Sequence, residues 1–122
     1  YLLLDDHLGE RIIPSKTQTE NAIQEMGAIV LEFDAYSNSL PIDTKNMQIT
    51  RSDMAGLNVP GCLEKAKSLT ISAMDNMTQG SNLYLSNNDN WIFYIDDGLS
   101  LIKEAELEIA RIYSCMPNCN PN

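Results

Sequence analysis

The chain has 122 residues, 43% of them hydrophobic and 20% charged, and its 17 acidic and 8 basic side chains leave a net charge of −9. A chain of this length and composition builds one domain with a core, which excludes both a two-domain organisation and wholesale disorder. The negative charge excludes phosphate backbones and anionic lipid surfaces as natural partners, leaving a basic partner, a bound cation or solubility as its use.

Residues 1–122 therefore read as a single domain, with 1–14 as the stump of a longer N-terminal segment and 115–122 as a cysteine-containing tail. Leu2, Leu4, Leu8, Ile12 and Ile13 fit a short helix over 1–13, which Pro14 interrupts. The opening Tyr-Leu-Leu-Leu is compatible with an apolar segment trimmed by processing or design, so an upstream anchor fits the pattern. No stretch of the chain itself approaches the roughly 20 apolar residues that span a bilayer.

Ser15, Thr17 and Thr19 are candidate caps, Thr17 followed by Glu20 reads as a capping box, and Ile23, Met26, Val30 and Phe33 recur at helical steps. The spacing predicts a long amphipathic helix over 17–37 that stops before Ser39-Leu40-Pro41. Residues 38–61 read as polar and irregular, with at most one turn capped by Ser52-Asp53. A second helix is expected over 62–78, closed by Gly80, with Leu63, Ala66, Leu69, Ala73 and Met77 on one face.

The runs 82–85 and 91–95 are short and apolar-aromatic, separated by Ser-Asn-Asn-Asp-Asn. Their β propensity predicts an antiparallel hairpin. A third helix, capped by Asp97 or Ser100, is expected through Ser114, burying Ile102, Ala105, Ile109 and Ile112. The sum is a helix-rich α+β domain with one small hairpin, in which the helices at 17–37 and 99–114 share a core through Val30, Phe33, Ile102 and Ile109.

Three cysteines allow one intrachain disulfide and one spare thiol that could join two copies covalently, or three reduced thiols. Bonding Cys62 to Cys115 or Cys119 closes a long loop and ties down a Pro/Asn-rich tail, whereas a Cys115–Cys119 bond closes only a short one. A disulfide implies an oxidising compartment, hence a periplasmic, cell-surface or secreted protein. Cys115, Cys119 and a distant His7 lack the ligand spacing of structural zinc, and the lone His7 reads as an exposed terminal residue.

Asn88, Asp89, Asp96 and Asp97 concentrate oxygen ligands that calcium could use, although no EF-hand pattern is present. Asparagine turns and an aspartate helix cap explain the same residues without metal. Tyr84, Trp91, Phe93 and Tyr94 could form an aromatic platform, or core. Asn76-Met77-Thr78 is a glycosylation sequon inside an expected helix. No nucleophile–base pair, phosphate loop or ligand-spaced cluster points to an enzyme, and no cofactor is implied.

The long helix running into Phe33-Asp34-Ala35-Tyr36-Ser37-Asn38-Ser39 and then Leu40-Pro41 resembles the soluble part of type IV pilins and pseudopilins. That resemblance covers about a third of the chain. It implies a pilin-like component of a surface fibre or secretion system, with the C-terminal cysteines similar to the pair bounding many pilin tails. Against the pattern stand Pro14, the short hairpin in place of a four-stranded sheet, and a helix close to the C-terminus. The functional expectation is a non-enzymatic extracytoplasmic subunit acting through protein partners or self-assembly. The alternative is a small acidic inhibitor or immunity-type protein that binds a basic partner.

Overall fold

The computed structural model describes residues 15–116. Four helices make the fold: α1 (Lys16–Ser37), α2 (Thr44–Gly56), α3 (Glu64–Leu85) and α4 (Trp91–Cys115), with a short 3-10 turn at Gly61–Leu63 leading into α3. No strand occurs among the described residues, so the fold is all-α and the expected α+β class with its hairpin is corrected. The helix expected over 1–13 and His7 lie outside the described residues.

Of the candidate caps Ser15 is the one used, so α1 begins at Lys16, ahead of the expected start at 17. Ser15 Oγ accepts from the Gln18 backbone N–H at 3.0 Å, and Gln18 Oε1 accepts from the Ser15 N–H at 2.8 Å. That reciprocal capping box displaces the Thr17–Glu20 pair and leaves Thr19 free to be buried beside Ala22, Met26 and Phe33. α2 arises where an irregular loop was expected. Asp43 caps it by accepting from Asn46 N–H at 3.1 Å, and Met47, Thr50 and Met54 occupy its buried face. Thr50 satisfies its hydroxyl on the carbonyls of Asn46 and Met47.

The hairpin is replaced by helix because residues 91–95 continue the stripe of the helix that follows. Trp91, Ile95 and Gly98 fall in phase with Ile102, Ala105, Ile109 and Ile112, at steps of three and four. A helix carrying all seven on one side buries more than a two-stranded ribbon, which is marginal alone. α3 likewise runs past Gly80 to Leu85, and Gly80 is buried within it rather than ending it.

The main core gathers Met26, Phe33, Met47, Met54, Ala66 and Met74, with Val30, Met77 and Ile109 packed against it. Methionine's unbranched side chain fills the irregular space between helices of unequal length. The expected direct packing of the first helix on the last is corrected: Phe33 is 2% exposed and Val30 and Ile109 pack on its cluster, but Ile102 faces Val30 and Phe33 only across a small crevice. α4 lies chiefly along α3, while α1 lies chiefly against α2.

A second cluster joins Ala22 of α1, Cys62, Leu63 and Ile112 of α4, with Met116 packed on it. The start of α1 therefore meets the end of α4 at one pole. At the other, the end of α1 and its following loop meet the end of α3 and the start of α4. The helices run up, down, up, down.

Candidate functional site

The second pole holds the site. α3 ends in an asparagine turn in which Asn87 takes a left-handed conformation (φ 60°), one that asparagine tolerates better than most residues. Asn88 N–H donates to the Leu83 carbonyl at 2.8 Å, and Asn88 Oδ1 accepts from the Asn90 N–H at 2.9 Å. These bonds turn the chain so that α4 starts directly beside the end of α3, with Tyr84 and Trp91 in an edge-to-face contact at 5.3 Å and 80°. Such a contact contributes about 0.5–1.5 kcal/mol beyond burial.

Opposite the aromatic pair runs the loop 37–42, which contains a cis Leu40–Pro41 peptide. Ser39 Oγ bonds the carbonyls of Tyr36 and Pro41, and Asp43 N–H donates to the Tyr36 carbonyl at 3.1 Å. The loop is thus folded onto the end of α1. Between it and the α3–α4 turn opens a cleft of about 470 Å³ whose apolar wall comes from Leu40, Ile42, Met77, Tyr84, Trp91 and Ile95. Ser37, Asn38, Ser39 and Ser81 supply its few polar groups.

Leu40, Tyr84 and Leu85 of this lining are exposed, and the first turn of α4 carries further exposed apolar side chains on its outer surface. Leu40 is 98% exposed, Phe93 65%, and Tyr84, Leu85, Ile92 and Tyr94 are also exposed. An apolar rim around an open cleft is the usual mark of an interaction surface on a water-soluble fold.

The sequence-derived candidates are only partly brought here. Asn88 is used in its own turn, and Asp89, Asp96 and Asp97 are exposed around the start of α4. Among the described residues no group of three or more His, Cys, Asp or Glu could hold a metal ion. The aromatic platform does form from Tyr84 and Trp91, but on helices, with Phe93 on the outer surface instead of beside Trp91. The loop 37–42 as the opposite wall was missed; Leu40-Pro41 was its one signal in the sequence.

The cysteines lie at the other pole. Cys115 is a free, half-buried thiol with Arg111 Nη1 3.9 Å from its sulfur, which removes the Cys62–Cys115 pairing. Cys62 is buried and is not a free thiol. Cys119 lies outside the described residues. The sequon lies within α3, where Asn76 Nδ2 donates to the Ser72 carbonyl at 3.0 Å and Thr78 is buried.

A smaller crevice of about 160 Å³ separates α1 from α4 over α3, lined by Val30, Phe33, Met74, Met77, Leu99 and Ile102 with Asp34 and Glu106 at its edge. Partial burial there pushes the Asp34 carboxyl above its ordinary value. No helix among the described residues is long and apolar enough to cross a membrane.

No protein-family model matches the chain, and no curated protein or solved structure shows significant similarity to it.

Proposed function

We propose that the protein acts by association: it is a non-enzymatic interaction module that seats an apolar group of its partner in the cleft beside the α3–α4 turn. The observation that carries this reading is that the cleft's own wall includes Leu40, Tyr84 and Leu85, all of them exposed. A cleft of this size suits a bulky side chain or a small apolar molecule. Its lining offers hydroxyls and amides but no carboxylate, imidazole, ammonium or thiol, so what it provides is shape and burial rather than proton transfer.

An extracytoplasmic setting belongs to the same proposal. Met116 packs in the cluster that contains Cys62, and Cys119 follows three residues later, so Cys119 is the partner we assign to Cys62. Such a bond persists in an oxidising compartment. A pilin-like role would need its binding surface on helices alone, because the described residues contain no sheet.

Trp91 is the one tryptophan of the chain and lines the cleft, so it reports occupancy directly. Titration with the neutral apolar dye N-phenyl-1-naphthylamine should change Trp91 emission saturably. Leu40→Asp, at a side chain with no structural load, should weaken dye binding by about tenfold, or roughly 1.4 kcal/mol. Binding that Leu40→Asp and Tyr84→Ala leave untouched would place the dye elsewhere and overturn the reading.

A further inference from the structure

We propose that the natural occupant of the cleft is a cationic amphipathic segment, an apolar anchor flanked by lysine or arginine. This rests on the docking reading above and names the partner's chemistry.

The argument is one of uncompensated charge. From Lys67 to Lys103 the chain has no basic residue, and its only charges there are Asp75, Asp89, Asp96 and Asp97. Asp75 is taken by Arg51 of α2 in a two-pronged contact at 2.9 and 3.2 Å. Asp89, Asp96 and Asp97 make no ion pair with any described residue, and all three are exposed.

Their positions follow from helix geometry. Asp96 stands four residues after Ile92 and three after Phe93, and Asp97 four after Phe93 and three after Tyr94. Residues so spaced are neighbours on a helix surface, roughly 5–6 Å apart. Asp89 sits in the turn just ahead of Trp91. The carboxylates therefore lie beside Ile92, Phe93 and Tyr94 on the outer surface of α4 next to the cleft, well inside the Debye length of about 8 Å at physiological salt. The facing loop 37–42 carries no charge, and the charge of Lys45 beyond it is opposed by that of nearby Asp43.

A partner approaching this pole meets apolar contact and unbalanced negative charge together. A second copy of the chain would bring the same three carboxylates within a net charge of −9, and an anionic membrane would be repelled likewise. A basic amphipathic segment satisfies both features, with its apolar side in the groove and its cations over the outer face of the first turns of α4.

The test uses two tryptophan-free helical peptides with identical leucine and phenylalanine positions, one with lysine and one with glutamate on the polar face. Binding is read from Trp91 emission, and sedimentation velocity follows self-association. The lysine peptide should bind about tenfold or more tightly than the glutamate peptide at physiological salt, and the preference should shrink towards unity at about 1 M salt. The triple variant Asp89→Asn/Asp96→Asn/Asp97→Asn should lose the preference while its circular dichroism stays unchanged.

Equal affinity for the two peptides would overturn the charge inference and leave the docking reading standing. Failure of both peptides and of the neutral dye would overturn both. A dimer that excludes the peptides would overturn the inference in favour of a second copy as occupant.

Discussion

Gly80 of α3 faces the backbone of Trp91: a β-carbon at Gly80 would lie 3.0 Å from the Trp91 carbonyl oxygen and 2.9 Å from Ile95 Cδ1. Gly98 repeats the relationship from α4, where a β-carbon would meet Met77 Cγ at 2.6 Å and the Ala73 carbonyl at 3.2 Å. The two glycines, one on each helix, set how closely α3 and α4 approach, and Gly80 does so within the wall that the two helices present to the cleft.

Alanine at either position must part the helices or displace Ile95 or Met77. Gly80→Ala should cost about 1–3 kcal/mol, net of its better helix propensity. Gly27 of α1 has nothing within 4 Å of the same added carbon. Gly27→Ala should therefore stabilise by up to about 1 kcal/mol. Urea denaturation of both variants checks the pair, and a stabilising Gly80→Ala would refute the close approach.

Phe33 is the largest side chain of the main core and is 2% exposed. Phe33→Ala should cost about 3–5 kcal/mol by denaturant unfolding. A loss below about 1 kcal/mol would mean that α1 is not seated on the methionine cluster.

How much of this was legible in the sequence depends on which side chains carry the signal. α1 was readable because Ile23, Met26, Val30 and Phe33 are large and periodic. α2 was not, since its buried face is Met47, Thr50 and Met54, and a buried threonine looks polar until its hydroxyl is seen bonded to its own helix. At 91–95 the aromatic residues suggested a strand by propensity. Tertiary packing prevailed because Trp91 and Ile95 share a face with Gly98 and Ile102, whereas Phe93 points outward. Of the site, the aromatic half was visible in the sequence. The loop wall was not, since no pattern announces that 37–42 folds back over the α3–α4 turn.

Thr78 Oγ1 is the buried side-chain oxygen without a hydrogen-bond partner among the described residues. Replacing it with an isosteric methyl removes that unmet polar group at no cost in volume. Thr78→Val should raise stability by about 1 kcal/mol, measured by thermal and urea unfolding. A comparable loss would reveal a water or a partner on the hydroxyl.

Two carboxyls give stability opposite pH dependences. The Asn46 backbone and side-chain hydrogen bonds hold Asp43 below its ordinary value, so its contribution is present at neutral pH and fades as pH falls below about 4. Partial burial raises Asp34, so its charged form works against folding as pH climbs through the raised value. Asp43→Ala should destabilise at pH 7 and progressively less in acid. Asp34→Asn should stabilise at pH 7 with no gain at low pH. Stability curves of both variants from pH 3 to 7 check the signs.

The free Cys115 and the burial of Cys62 lead to a specific pairing. Non-reducing peptide mapping of native protein should find Cys62 joined to Cys119 and Cys115 alkylated. Alkylation of Cys62 and Cys119 in unreduced protein would contradict both the pairing and the extracytoplasmic setting.

The central claim, that the pole built from loop 37–42 and the α3–α4 turn is the docking surface, is tested most directly by backbone amide chemical-shift mapping with the lysine peptide. The account predicts shifts concentrated at residues 37–42, 77–85 and 91–99, with the Trp91 indole among the largest. Shifts centred on the opposite pole, around Cys62, Ile112 and Cys115, would contradict it.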